Sequence, residues 1–146
     1  MKAYVITIEN HDKSEAAAHR CIKSGLKNGI KIEKFYAVTP KDNPKQIFKD
    51  RGYPLEYFTE EFSKSENTTS TFLSHLFLWE KAVKLNEDVV IFEHDAVVFD
   101  KIPTDAIFKG CMTLVNHHMV IIKHLSILDL DLLHKNHILV ERMVIL

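Results

Sequence analysis

The chain has 146 residues, is 46% hydrophobic and 27% charged, and carries a net charge of -1. A chain of this size builds one ordinary core. It has no basic stripe, so it lacks the footprint that nucleic acid or an anionic membrane requires.

No run approaches the ~18 apolar residues of a transmembrane helix. The apolar opening stops too soon, at Glu9-Asn10-His11-Asp12, to be a signal peptide. Two distant cysteines, Cys21 and Cys111, without a CxxC spacing, fit reduced thiols in a cytoplasmic protein.

Ala3-Tyr4-Val5-Ile6-Thr7-Ile8 is short, rich in β-branched residues and closed by polar residues, which predicts a buried strand. Asp12 or Ser14 can cap the helix that follows, predicted to run to about Ser24 with Gly25 or Gly29 ending it. Residues 30–38 alternate and then turn apolar, predicting a second strand. Strand, helix and strand in that order imply a right-handed βαβ unit with a parallel pair.

A short helix is expected around residues 44–51. Residues 58–69 are polar and predicted as a loop of the kind that carries binding residues. Thr68-Thr69-Ser70 offers N-caps for a helix whose stripe is Phe72, Leu76, Trp79 and Val83, ending at Asn86. The continuous apolar run Val89-Val90-Ile91-Phe92 predicts a central parallel strand. The expected class is α/β with a mostly parallel sheet.

Residues 115–146 differ in character. They hold five of the nine histidines and no glycine, proline or aromatic residue. The expected organisation is therefore a domain over 1–114 and an atypical tail over 115–146. Shifting the codons of Val-Asn-His-His-Met-Val by one base permits Gly-Lys-Pro-Ser-Tyr-Gly, so an out-of-frame tail is one expectation.

Chemistry concentrates at Glu93-His94-Asp95. In open α/β sheets, ligands bind outside the carboxyl ends of the strands. In extended backbone, residues i and i+2 point the same way, so Glu93 and Asp95 are expected to converge about 7 Å apart with His94 turned away. Two hard oxygen donors suit Mn²⁺ or Mg²⁺ carrying a diphosphate. The ordinary alternative is a solvated strand end.

Other residues also have two readings. Ser74-His75 invites a nucleophile–base pair, but helix neighbours do not face each other. His75 and Trp79 share a face, either as core packing or as a lining. Arg20 is either solvated or a diphosphate contact. His117-His118 and His134-x-x-His137 lack a closed zinc set.

The blocks Phe72-Leu73-Ser74-His75, Trp79-Glu80-Lys81-Ala82 and Val90-Ile91-Phe92-Glu93-His94-Asp95-Ala96 together resemble glycosyltransferase family 25. These are the lipooligosaccharide galactosyltransferases, related to collagen galactosyltransferases. Tyr4 to Ile8, Arg20 and Phe35-Tyr36-Ala37-Val38 are similar to that family's start. The resemblance spans roughly residues 1–114. It departs at Ser70-Thr71, where the family has Gly-Cys, and at His94, which replaces the middle Asp of Glu-Asp-Asp.

The resemblance implies a GT-A-type, Rossmann-like nucleotide-sugar domain, incomplete at the C-terminus. It implies a nucleotide-sugar donor such as UDP-galactose and a glycan or lipooligosaccharide acceptor. It implies donor binding by Ile8, Arg20, His75 and Glu93, and a metal at Asp95 and Glu93; it assigns no catalytic base. A catalytically inactive donor-binding fragment and a non-enzymatic α/β interaction domain remain alternatives.

Overall fold

A computed structural model describes residues 1–53, 65–102, 110–114 and 119–123, the last two segments as backbone only. Its elements are β1 (Lys2–Thr7), α1 (Asp12–Lys27), β2 (Ile32–Tyr36), a 3-10 turn at Pro40–Asp42, α2 (Pro44–Asp50), α3 (Ser65–Leu85), β3 (Val89–Phe92), β4 (Gly110–Leu114) and β5 (Met119–Lys123).

The sheet order is β2-β1-β3-β5-β4. β1 pairs in parallel with β2 on one side and β3 on the other. β5 runs antiparallel to both β3 and β4. The expected parallel βαβ start is present, and the parallel pairing stops at β3. β5 lies within residues 115–146, so part of the stretch set apart by composition is a strand of the sheet.

Alternation in β1 and β3 explains the layering. Ala3, Val5, Val90 and Phe92 face α1, where they meet Ala18, Cys21 and Ile32. Tyr4, Ile6, Val89 and Ile91 face α3, where they meet Leu73, Leu76, Trp79 and α2's Phe48. Both faces of these strands are therefore apolar, which is why Val89 to Phe92 reads as an unbroken run. Each fully buried Leu, Ile, Val or Phe contributes about 1.5–3 kcal/mol.

The helix ends follow local chemistry. His11, rather than Asp12 or Ser14, caps α1, its Nδ1 accepting from the Ser14 N–H at 3.2 Å. Ser14 is buried and spends its hydroxyl on β1, bonding Thr7 Oγ1 at 3.1 Å and the Ile8 N–H at 2.9 Å. Gly29, at φ 75°, is the left-handed residue after α1, and Asn86, at φ 51°, plays that part after α3.

Gly25 lies inside α1 for another reason: a Cβ there would sit 2.4 Å from Ile32 Cδ1 and 3.1 Å from the Ile30 carbonyl oxygen. Gly25→Val should force α1 away from β2 and destabilise the protein by about 1–3 kcal/mol, the usual range for overpacking. Urea unfolding checks this; an unchanged midpoint would disprove the close approach.

α3 begins at least three residues before the expected caps. Thr69, Ser70 and Thr71 lie within it and donate to the carbonyls four residues back, Ser65 at 2.7 Å, Glu66 at 2.7 Å and Asn67 at 3.1 Å. Their hydroxyls bond the helix's own backbone instead of ending it. The loop expected over 58–69 is thus helical from Ser65, and residues 58–64 lie outside the described residues.

Candidate active site at the carboxyl edge of the sheet

From β1 the chain moves to β2 on one side, then returns to place β3 on the other. This reversal creates a switch point between the carboxyl ends of β1 and β3, where open α/β sheets receive ligands. Ile8 and Glu9 follow β1 there, and Glu93, His94 and Asp95 follow β3.

The edge is held together by side chains. α3 turns two consecutive residues toward two different strand ends. Ser74 Oγ accepts from the Val38 N–H, beyond β2, at 2.9 Å and donates to the Ser70 carbonyl at 2.8 Å. His75 Nε2 meets Glu93 Oε1, beyond β3, at 2.8 Å. The hydroxyl and the imidazole are therefore committed to separate partners and form no nucleophile–base pair.

The expected convergence of Glu93 and Asp95 does not occur as drawn from strand geometry. β3 ends at Phe92, and the next residues turn, with the Ala96 N–H bonding the Glu93 carbonyl at 3.0 Å. The i, i+2 rule holds only in extended backbone. Glu93 keeps the parity of Ile91 and reaches α3. Asp95, exposed, lies close enough to α1 to act on Cys21.

After the turn the chain is clasped to the far end of α1. The Val98 N–H donates to Ser24 Oγ at 2.9 Å, and Asn28 Nδ2 donates to the Val98 carbonyl at 2.9 Å. Ala96 and Val98 are buried against the α1 face of the sheet.

Burial, reinforced by the Asp95 carboxylate, pushes the Cys21 thiol up to about 11. The folded value exceeds the ordinary 9.0, so this thiol's share of stability is intact below pH 9 and lost as pH rises toward 11. Cys21 should resist iodoacetamide in the native protein at pH 8 and react only on unfolding, as peptide-level mass spectrometry would record. Rapid native labelling at Cys21 would contradict its burial.

The remaining expected site residues are placed as follows. Ile8 is 38% exposed at the crevice, and its N–H is already taken by Ser14. Arg20 is exposed on α1, about 12 Å along the helix from Asp12 at ~1.5 Å per residue. It stands well back from the strand ends. His75 is 1% exposed, so its contact runs through Glu93 rather than through solvent.

Among the described residues no three His, Cys, Asp or Glu side chains group to enclose a metal ion. The α1 N-terminus carries its own acids, Asp12 and Glu15, and Glu15 pairs with Lys34.

Sequence reasoning did not find the clasp at Ser24, Asn28 and Val98, nor the role of Ser14. Isolated polar residues in an apolar pattern were the only available signal.

The model of glycosyltransferase family 25 (LPS biosynthesis protein) matches residues 1–145. The chain belongs to that family and is a glycosyltransferase by membership, which implies a sugar donor and a glycan acceptor. The match runs beyond residue 114, through most of the histidine-rich stretch. No curated protein matches the chain. No described helix is long and apolar enough to cross a membrane.

Proposed function

We propose that the chain binds a nucleotide sugar, UDP-galactose by its resemblance, in the crevice between β1 and β3. On this reading the domain is of the GT-A type and transfers the hexose to a glycan or lipooligosaccharide acceptor. The observation that carries the reading is the acidic turn Glu93-His94-Asp95 at the switch point of the sheet.

Charge supports a metal. Glu9 follows β1, Glu93 and Asp95 follow β3, and α1 opens on Asp12, Lys13 and Glu15, with Arg20 about two turns further along. A divalent cation, Mn²⁺ or Mg²⁺, would bring a diphosphate and these carboxylates together. Asp95 would hold that ion, which when bound supplies Lewis-acid stabilisation of the departing diphosphate. Glu93, fixed by His75, contributes a carboxylate on the other side of the crevice. Ile8 offers an apolar surface to the nucleoside.

Titration calorimetry with UDP, with and without Mn²⁺, tests this. Metal-dependent UDP binding is the expected result; its absence would eliminate both the transferase and the inactive donor-binding reading. The second of these is favoured by His94, which leaves one carboxylate fewer than the family's Glu-Asp-Asp. Donor hydrolysis or transfer assays separate the two. The coding DNA downstream of the Leu114 codon decides whether residues 115–146 are read in frame.

A further inference from the structure

The most unusual chemical pairing in the described residues is His75 with Glu93. His75 is 1% exposed, lies in the middle of α3, and has its Nε2 2.8 Å from Glu93 Oε1. An ionised carboxylate only accepts hydrogen bonds, so Nε2 is the nitrogen that carries the proton. Nδ1 makes no hydrogen bond among the described residues. A buried imidazole with one unbonded nitrogen is a costly core filler, and Leu or Phe would pack the same space without that penalty. What the ring achieves is to hold one carboxylate oxygen.

The other oxygen is left available. Glu93's side chain is 27% exposed, and Oε2 makes no hydrogen bond among the described residues. The backbone beneath it is fixed too, by β3 on one side and by the Glu93–Ala96 turn on the other. Glu93 is thus an acceptor pre-set in one rotamer at the mouth of the crevice, while Asp95 lies toward α1. The two carboxylates are separated in task as well as direction.

We propose that His75 is a positioning residue, and that the Glu93 oxygen it leaves open accepts a hydrogen bond from a hydroxyl of the donor's sugar, with the metal left to Asp95. This rests on the nucleotide-sugar reading above. It predicts a split between two ligands. UDP offers the diphosphate and no hexose, whereas UDP-galactose offers both.

The experiment compares Mn²⁺-dependent binding of UDP and UDP-galactose to wild type, His75→Asn, His75→Gln and Glu93→Gln. Gln places an amide N–H where the Nε2–H stands, and Asn does not reach. His75→Asn should weaken UDP-galactose at least tenfold and UDP by less than threefold, and His75→Gln should restore wild-type binding within threefold. Equal losses for both ligands, or no rescue by Gln, would overturn the proposal.

Nitrogen-15 NMR of His75 in the free protein decides the pairing without any ligand. The ring should be the Nε2–H tautomer in wild type and lose that preference in Glu93→Ala. A tautomer indifferent to Glu93 would refute the positioning role. If wild type binds no UDP but the tautomer responds, the pairing stands, while the nucleotide-sugar reading and the sugar-contact assignment that rests on it both fall.

Discussion

Asp95→Asn is expected to lower Mn²⁺-dependent UDP affinity at least 100-fold, about 2.8 kcal/mol at ~1.4 kcal/mol per tenfold, while leaving the fold intact. The residue is exposed and follows the last strand residue of β3 by three positions. Its amide counterpart keeps the shape and loses the charge that a hard divalent cation requires. Glu93→Gln should affect UDP far less, because its held oxygen faces α3 and not the metal. Calorimetry with matched thermal melts reads both effects. Asp95→Asn binding UDP within threefold of wild type would remove Asp95 from the metal site.

The largest effect on stability is expected at Trp79. Its ring is buried against Phe72 and His75, at centroid distances of 6.3 and 6.4 Å. Trp79→Ala should cost about 3–5 kcal/mol, a sizeable part of the whole stability of a small domain. Trp79→Phe should cost much less, under ~1.5 kcal/mol. The indole Nε1 is buried without a hydrogen-bond partner among the described residues, so Phe removes a polar atom that contributes nothing in return. Chemical unfolding of both variants provides the measurement. Equal losses for Ala and Phe would mean that the indole N–H is satisfied after all.

The sheet was readable from sequence where burial is symmetric. Val89 to Phe92 gave itself away as an unbroken apolar run because α1 and α3 cover both faces. The parallel start followed from strand, helix and strand in order. The beginning of α3 is not legible in sequence because Thr69, Ser70 and Thr71 are strong cap formers in isolation. In the folded chain their hydroxyls bond carbonyls one turn back. β5 was hidden by the composition of its stretch, although one of its partners, β4, comes just before it in sequence and only β3 is distant.

At the candidate site the residue types were visible in sequence and their directions were not. Glu93 and Asp95 were visible as acids at a strand end, yet their directions depend on where β3 stops, and no periodicity marks Phe92 as its last residue. His75 stood out in sequence beside Ser74 and on one face with Trp79, and neither pairing pointed to Glu93. Its bond to Glu93 joins positions eighteen residues apart, a relation that no local pattern carries.

The clasp of Val98 by Ser24 and Asn28 has a consequence for how a ligand arrives. The acidic turn is tethered at both ends within a few residues, by β3 before it and by α1 after it. A segment so short and doubly anchored has little conformational freedom left to surrender when it meets a ligand. On the nucleotide-sugar reading, its share of the binding surface exists before the encounter, so ordering this turn adds no slow step to association.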